Sequence, residues 1–363
     1  MTESLPSLII SGIDDLPTLV PHLCGFHPSS SIVLLGMRGP RSQIAITVRV
    51  DLPVPGESID TALECAEPAL FGLVNAAVDE VILVVYPAAE DDPWRGGSLH
   101  PLPHKELLDR LEAILGGIRV GVRDMLCIGA ERQRSYLCGN PTCCPAEGRP
   151  RADVGSSLVG ATFVGLGSAP LDSRAALVQT LAPRADADPV RVAVRRGAER
   201  VFIRLAAGLP ERADQFVTDL RRSSLDPRNV TTRRRLAATV GHLVATIPSR
   251  DLLLRLLTTT PDRALLATAR DVMAEAIRCA EPGEVAPLAA TLGVCAWVDG
   301  DGAAAWVALD RALADDPGYS LTTLIITALQ QGQPPWIWTS MMANLSVEEI
   351  LAAGGIDAGR SSA

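Results

Sequence analysis

The sequence predicts an α/β domain built on a mixed sheet flanked by helices, followed by an all-α helical domain that carries one tetratricopeptide-like hairpin. Three observations predict it. Strand-forming runs are confined to the first half and cease near residue 165. From about residue 170 helix-length segments follow one another, separated by Pro and Gly. Hydrophobic residues make up 47% of the 363 residues and charged residues 21%, which excludes a disordered chain and leaves length for about two domains. The expected boundaries are 1–168 for the α/β domain, 169–353 for the helical domain and 354–363 for a flexible tail.

Ser7–Ser11 is a short apolar strand candidate, and Asp14–Cys24 a helix kept short by Pro17 and Pro21. Ser31–Met37 and Gln43–Val50 flank a turn with Gly39 and Pro40 and read as a hairpin. Ile44, Ile46, Val48 and Val50 alternate with small or polar residues, so one face of the second strand is buried. Glu57–Ala77 reads as a helix. Glu80–Tyr86 is almost continuously apolar, the pattern of a central strand covered on both faces. A long loop, 87–103, leads to a helix over Lys105–Leu115, a strand over Arg119–Gly129 and a further strand over 132–137. The strand order resembles a ribonuclease-H-like topology, an analogy that carries no activity. Beyond, helices are expected near 172–182, 188–206, 210–222, 230–246, 249–258, 261–279, 284–298, 301–314, 319–331 and 346–353. Ala289, Leu292, Gly293, Ala296, Ala305, Leu309, Ala312 and Pro317 fall at the small, apolar and Pro positions of a tetratricopeptide repeat. No second copy adjoins it, so the expectation is one helical hairpin rather than a peptide-binding solenoid.

Composition excludes several chemistries. Of 33 basic residues 32 are arginine and only Lys105 is lysine, so a Walker-type phosphate loop is absent. Nucleophile-elbow, zinc-protease and dinucleotide-binding motifs are absent too. Net charge is −9, of which residues 1–165 hold −8. An acidic chain is a poor general nucleic-acid binder, because that affinity rests on neutralising phosphates. The exception is 184–235, with 13 arginines against 7 acids; few aromatics accompany them, and pairing with acids, such as Arg195 with Glu199, is expected instead. Met1–Ser11 has no signal-peptide pattern and no apolar run spans a bilayer, so a cytoplasmic protein with reduced cysteines is expected.

Several segments together carry a resemblance: VPHLCGFHP over Val20–Pro28, SYLCGNPTCCP over Ser135–Pro145, Ser173-Arg174, Arg250-Asp251, Gly300–Ala303 and Asp316–Ser320. Over about residues 5–335 the chain resembles the actinobacterial family catalogued as domain of unknown function 4192. The resemblance implies architecture and no activity.

Two places could carry chemistry. The loop after the central strand holds Trp94, Arg95, His100 and His104, and the following segment holds Tyr136; these are the ligand-binding candidates. If the strands 80–86 and 119–129 are parallel neighbours, loops 87–104 and 130–149 leave one sheet edge, where open α/β sheets bind ligands. The second place is Cys138, Cys143 and Cys144. Three readings stand: a tight loop of free thiols, a Cys138–Cys143 disulfide with Cys144 as resolving thiol, or a metal site needing a fourth ligand. In an extended chain Cys143 and Cys144 point apart, which disfavours three sulfurs at one ion. His22, Cys24 and His27 have ligand-like spacing but sit among apolar residues.

The expected function is a non-enzymatic binding or regulatory module. The alternatives are an enzyme with its site between loops 87–104 and 130–149, and a thiol- or zinc-dependent sensor. No cofactor is expected, zinc at the cysteines being the alternative. A protein partner or a second copy of the chain is the expected kind of partner, with no membrane and no nucleic acid.

Overall fold

The computed structural model describes residues 13–54, 56–97, 100–151, 157–165, 168–203, 208–226, 228–260 and 262–353. The expected strand Ser7–Ser11 and the expected tail 354–363 lie outside them. The chain divides into two compact units, Met1–Arg174 with Leu329–Gln333, and Ala175–Ala328 with Pro334–Ala363.

In the first unit, α1 (Leu16–Cys24) precedes β1 (Ser31–Arg38), β2 (Gln43–Asp51), α2 (Ile59–Asn75), β3 (Glu80–Tyr86), α3 (Lys105–Gly117), β4 (Gly121–Ile128), β5 (Arg132–Ser135), β6 (Arg149–Pro150) and α4 (Leu158–Gly165). The sheet runs β2-β1-β3-β4-β5-β6. Only β3 and β4 are parallel; α3 supplies the crossover that such a pair needs. All other neighbours are antiparallel. The ribonuclease-H-like order does not hold. It requires a strand between the β1–β2 hairpin and the parallel pair, yet β1 bonds directly to β3 along seven residues, Ser31–Met37.

Strand alternation sorts the core into two layers. Ile32 and Leu34 of β1, Val81, Leu83 and Val85 of β3, and Met125 of β4 pack with Leu73 of α2 and Leu108, Leu111 and Leu115 of α3. The opposite face carries Ser31, Val33, Leu35, Val84, Tyr86, Leu126 and Ile128, all buried as well. Glu80–Tyr86 is therefore covered on both faces, as its unbroken apolar run requires.

The second unit is helical among its described residues: α5 (Arg174–Gln179, whose first residue falls in the first unit), α6 (Pro189–Ile203), α7 (Leu209–Leu225), α8 (Val230–Val244), α9 (Ile247–Thr258), α10 (Arg263–Cys279), α11 (Val285–Val298), α12 (Gly302–Asp315), α13 (Ser320–Gln330, whose last two residues fall in the first unit), α14 (Trp336–Asn344) and α15 (Val347–Ala353). At Gly293 of α11 an added Cβ would lie 2.9 Å from Leu309 and 3.5 Å from the carbonyl of Ala305, so α12 crosses α11 closely there. Asp315, at the end of α12, accepts from the N–H groups of Gly283, Val285 and Ala286 and so caps α11. Arg270 of α10 binds Asp299 at 2.6 Å and also Asp301, which N-caps α12. Arg250, 6% exposed, donates to Tyr319 Oη at 2.8 Å and pairs with Asp251 at 2.7 Å. Helix α14 has no counterpart in the sequence reading. Trp336, Ile337 and Trp338 form no 3.6-residue stripe, and the helix starts directly after Pro334-Pro335. Trp338 is buried, its Nε1 donating to Thr258 Oγ1 at 3.2 Å.

Candidate functional site

Because β3 and β4 are parallel neighbours, the loop after Tyr86 and the turn after Ile128 leave the same edge. That edge is filled from within. Asp92 accepts from the N–H of Trp94 at 3.0 Å and, across the loops, from the N–H of Ala130 at 2.8 Å. The Trp94 indole lies where side chains at Gly129 and Gly148 would stand: an added Cβ would meet it at 2.9 and 2.7 Å. Gly148 also has φ +73°, a second reason for glycine. Arg132 donates to the carbonyls of Glu147 and Gly148, holding the returning strand.

The other loop candidates differ in their surroundings. Arg95 is exposed in a single turn, and His100 is exposed with its N–H bonded to Pro93. His104 stands in the left-handed region, φ +58°, just before α3. Burial holds its imidazole below the ordinary range, and its Nε2 is buried without a partner. Tyr136 Oη donates to the carbonyl of Pro103 at 2.8 Å. Beside it, burial pushes the Cys127 thiol up to about 12. Of these groups, Tyr136 is anchored to the scaffold by its hydroxyl.

The three cysteines converge. Ser135, at the end of β5, donates to Asp124 of β4 at 2.6 Å and accepts from the N–H groups of Leu137 and Cys138 at 3.1 Å, which pins the entry to the turn. Asn140 makes the turn: its side chain accepts from Thr142 N–H, and its carbonyl accepts from both Cys143 and Cys144 N–H. Consecutive cysteines in such a turn do not point apart as they do in a strand. Cys138 Sγ lies 3.4 Å from Cys143 Sγ, which lies 3.6 Å from Cys144 Sγ, and all three sulfurs fall within 4.8 Å of one another. The expectation of divergent vicinal thiols is thereby corrected; the physical reason is the Asn140 turn, for which Asn140-Pro141 was the legible signal.

The electrostatics separate Cys138 from Cys143. The N–H of Asn140 directed at Cys138 holds that thiol below its ordinary range. Cys143 is pushed up to about 11, chiefly by its hydrogen bond to Cys138. Cys144 is buried while Cys143 is exposed, so the cluster opens to solvent on one side. Among the described residues this is the one group of three or more His, Cys, Asp or Glu side chains with donor atoms close enough for one ion. His100 and His104 do not join it.

His22, Cys24 and His27 form no such group. His22 Nδ1 is bonded to Ser168 Oγ at 2.9 Å, and its ring stacks on Phe163 at 4.9 Å. Cys24 is buried, its thiol pushed up to about 12 by desolvation. The arginines of 184–235 are largely engaged. Arg184 binds Asp188 and Glu275, Arg191 binds Asp186 and Glu281, and Arg235 binds Asp219. Arg195 binds Glu284 rather than the expected Glu199, because α6 lies alongside the segment before α11.

Residues 14–336 match the family described as Domain of unknown function (DUF4192). The chain belongs to this family. The description assigns it no activity. No curated protein matches, and no solved structure does. No described helix is long and apolar enough to cross a membrane. The three cysteines therefore stand as a candidate centre of a DUF4192 protein on their geometry alone.

Proposed function

We propose that this DUF4192 protein is a metal-binding module, in which Cys138, Cys143 and Cys144 hold one thiophilic divalent ion of the zinc class and leave a fourth coordination position open. One observation carries the reading, the convergence of the three sulfurs. Its distances favour a shared ion over a disulfide. Sulfurs bound to tetrahedral zinc at about 2.3 Å stand roughly 3.8 Å apart, whereas a disulfide needs about 2.05 Å. The separations of 3.4 and 3.6 Å are nearer the first. Soft thiolates select zinc-class metals over calcium or magnesium. The lowered Cys138 thiol supports it too, since the ligand is the thiolate. Three protein ligands leave a place for water or for a donor from a partner, which suits a sensor or regulatory role.

The reading as a binding module rather than an enzyme draws on the filled loop edge. Trp94 occupies the space between Gly129 and Gly148, and the Asp92 carboxylate is engaged by two backbone N–H groups. The test is stoichiometry on protein purified without oxygen. The expected result is one zinc per chain, released by a thiol-blocking reagent and reduced in Cys138→Ser, while Cys65→Ser, at an exposed cysteine outside the cluster, keeps it. Three freely titrating thiols with no metal overturn the proposal. A Cys138–Cys143 disulfide in the same preparation would assign the site to a thiol switch instead.

A further inference from the structure

The three sulfurs of the cysteine centre are alike in chemistry and unlike in surroundings. Cys143 is exposed, Cys138 is half-buried, and Cys144 is buried, 4% exposed. A reagent arriving from solvent therefore meets Cys143 first. Cys138 Sγ stands 3.4 Å from Cys143 Sγ, and Cys144 Sγ stands 3.6 Å from it. Both neighbours are close to an oxidised Cys143, and chain geometry decides between them.

A disulfide between consecutive residues closes an eight-membered ring around a peptide bond that resists leaving its trans plane. A bond from Cys138 to Cys143 spans five residues across the Asn140 turn and needs no such distortion. Closing it brings the sulfurs from 3.4 Å to about 2.05 Å. Cys143 is exposed, so little packing opposes that move, whereas Cys144 is held in the interior. Backbone pins keep the pair facing each other: Ser135 Oγ accepts from Cys138 N–H at 3.1 Å, and the Asn140 carbonyl accepts from Cys143 N–H at 3.2 Å.

We infer that hydroperoxide regulates the metal site: it joins Cys138 to Cys143 and so releases the ion, leaving Cys144 as a thiol. The inference rests on the metal-binding reading above. The Cys143 thiolate attacks one peroxide oxygen. An S–O bond forms, the O–O bond breaks, the sulfur is oxidised to a sulfenic acid, and the departing hydroxide takes a proton from solvent. The Cys138 thiolate then attacks that sulfur. The S–S bond forms, the S–O bond breaks, and the second hydroxide is protonated. Two thiolates, one hydrogen peroxide and two protons become one disulfide and two waters. The chain is left with one sulfur donor, Cys144, where it had three, too few to retain a four-coordinate ion.

The test uses the full chain, purified without oxygen, loaded with zinc and freed of unbound metal. Hydrogen peroxide is titrated in. Zinc release is read with a chromogenic chelator, and the cysteines are mapped by alkylation before and after reduction. The expected result is one zinc released per peroxide consumed, a disulfide between Cys138 and Cys143, and Cys144 alkylated without reduction. Cys65→Ser should release zinc at the parent's rate. In Cys138→Ser the sulfenic acid on Cys143 loses its partner and should accumulate as a dimedone adduct, which is read whether or not that variant holds zinc. Zinc retained in peroxide, a disulfide that includes Cys144, or a Cys138→Ser chain with no adduct on Cys143 overturns the inference and leaves the metal reading in place. A parent chain that holds no zinc before peroxide overturns the metal reading and the inference with it.

Discussion

The close crossing of α11 and α12 gives a prediction whose sign is set by the structure. Ala305 is 0% exposed, and its carbonyl lies 3.5 Å from the place a Cβ would take at Gly293. Ala305→Leu leaves helix propensity almost unchanged, so it isolates packing. It adds three carbons where Leu309, also 0% exposed, already touches α11. Overpacking of this kind costs about 1–3 kcal/mol. For a unit of this size each kcal/mol moves the melting temperature by about 2–4 °C, so a fall of roughly 2–12 °C is expected. Gly293→Ala is the sharper companion. Propensity alone would stabilise it by about 1 kcal/mol. Its new methyl, however, would stand 2.9 Å from two buried carbons of Leu309, so the structure predicts a loss. Differential scanning calorimetry with a urea titration reads both variants. An unchanged Ala305→Leu transition, or a Gly293→Ala chain more stable than the parent, would refute the close crossing.

Three further outcomes are expected. Burial holds the imidazoles of His22 and His27 below their ordinary range, so the unfolded chain takes up protons first as pH falls. Their contribution to stability is present above about pH 6.5 and is lost as pH drops through the lowered folded values; a transition of the first unit unmoved between about pH 7.5 and 5 would contradict this. Arg250→Met removes the charged partner of Tyr319 and Asp251 and should cost about 1–3 kcal/mol in urea unfolding, and an unchanged midpoint would show the pair to be idle. We also propose that the stretches 1–168 and 169–353 fold separately, so that cleavage near residue 168 yields two soluble fragments; a resistant core crossing 150–190, with insoluble separate halves, would count against it.

Much of this architecture was legible in the sequence because it rests on local periodicity. The alternation of β2, the apolar run of β3 and the Pro and Gly punctuation of the helices follow from chemistry within a few residues. What escaped depends on distant residues or on turns. Arg195 meets Glu284 and Arg184 meets Glu275 across about ninety residues of chain, which no i,i+4 rule reports. Trp336–Asn344 has no apolar stripe, so its helix was invisible to periodicity. The βαβ pattern raised the parallel pairing of β3 and β4 only as a condition, and the place of β1 beside β3 was not legible. At the candidate centre the residue types and the meeting of Cys138 with Cys143 were plain, and the joining of Cys144 to them was not. An extended chain separates Cys143 from Cys144; the two N–H groups gathered by the Asn140 carbonyl reunite them. The filling of the loop edge by Trp94 was equally hidden, because Gly129 and Gly148 show their purpose only when the indole is seen against them.

The central claim is an ion held by three sulfurs with a fourth position open. X-ray absorption at the zinc edge of the anaerobically purified, zinc-loaded full chain tests it most directly. The account predicts three sulfur neighbours at about 2.3 Å and one lighter oxygen or nitrogen neighbour near 2.0–2.1 Å. It predicts loss of one sulfur from that shell in Cys144→Ser, the buried member of the cluster. A shell of oxygen and nitrogen alone, or a chain that retains no zinc while Cys138, Cys143 and Cys144 titrate freely, would contradict it.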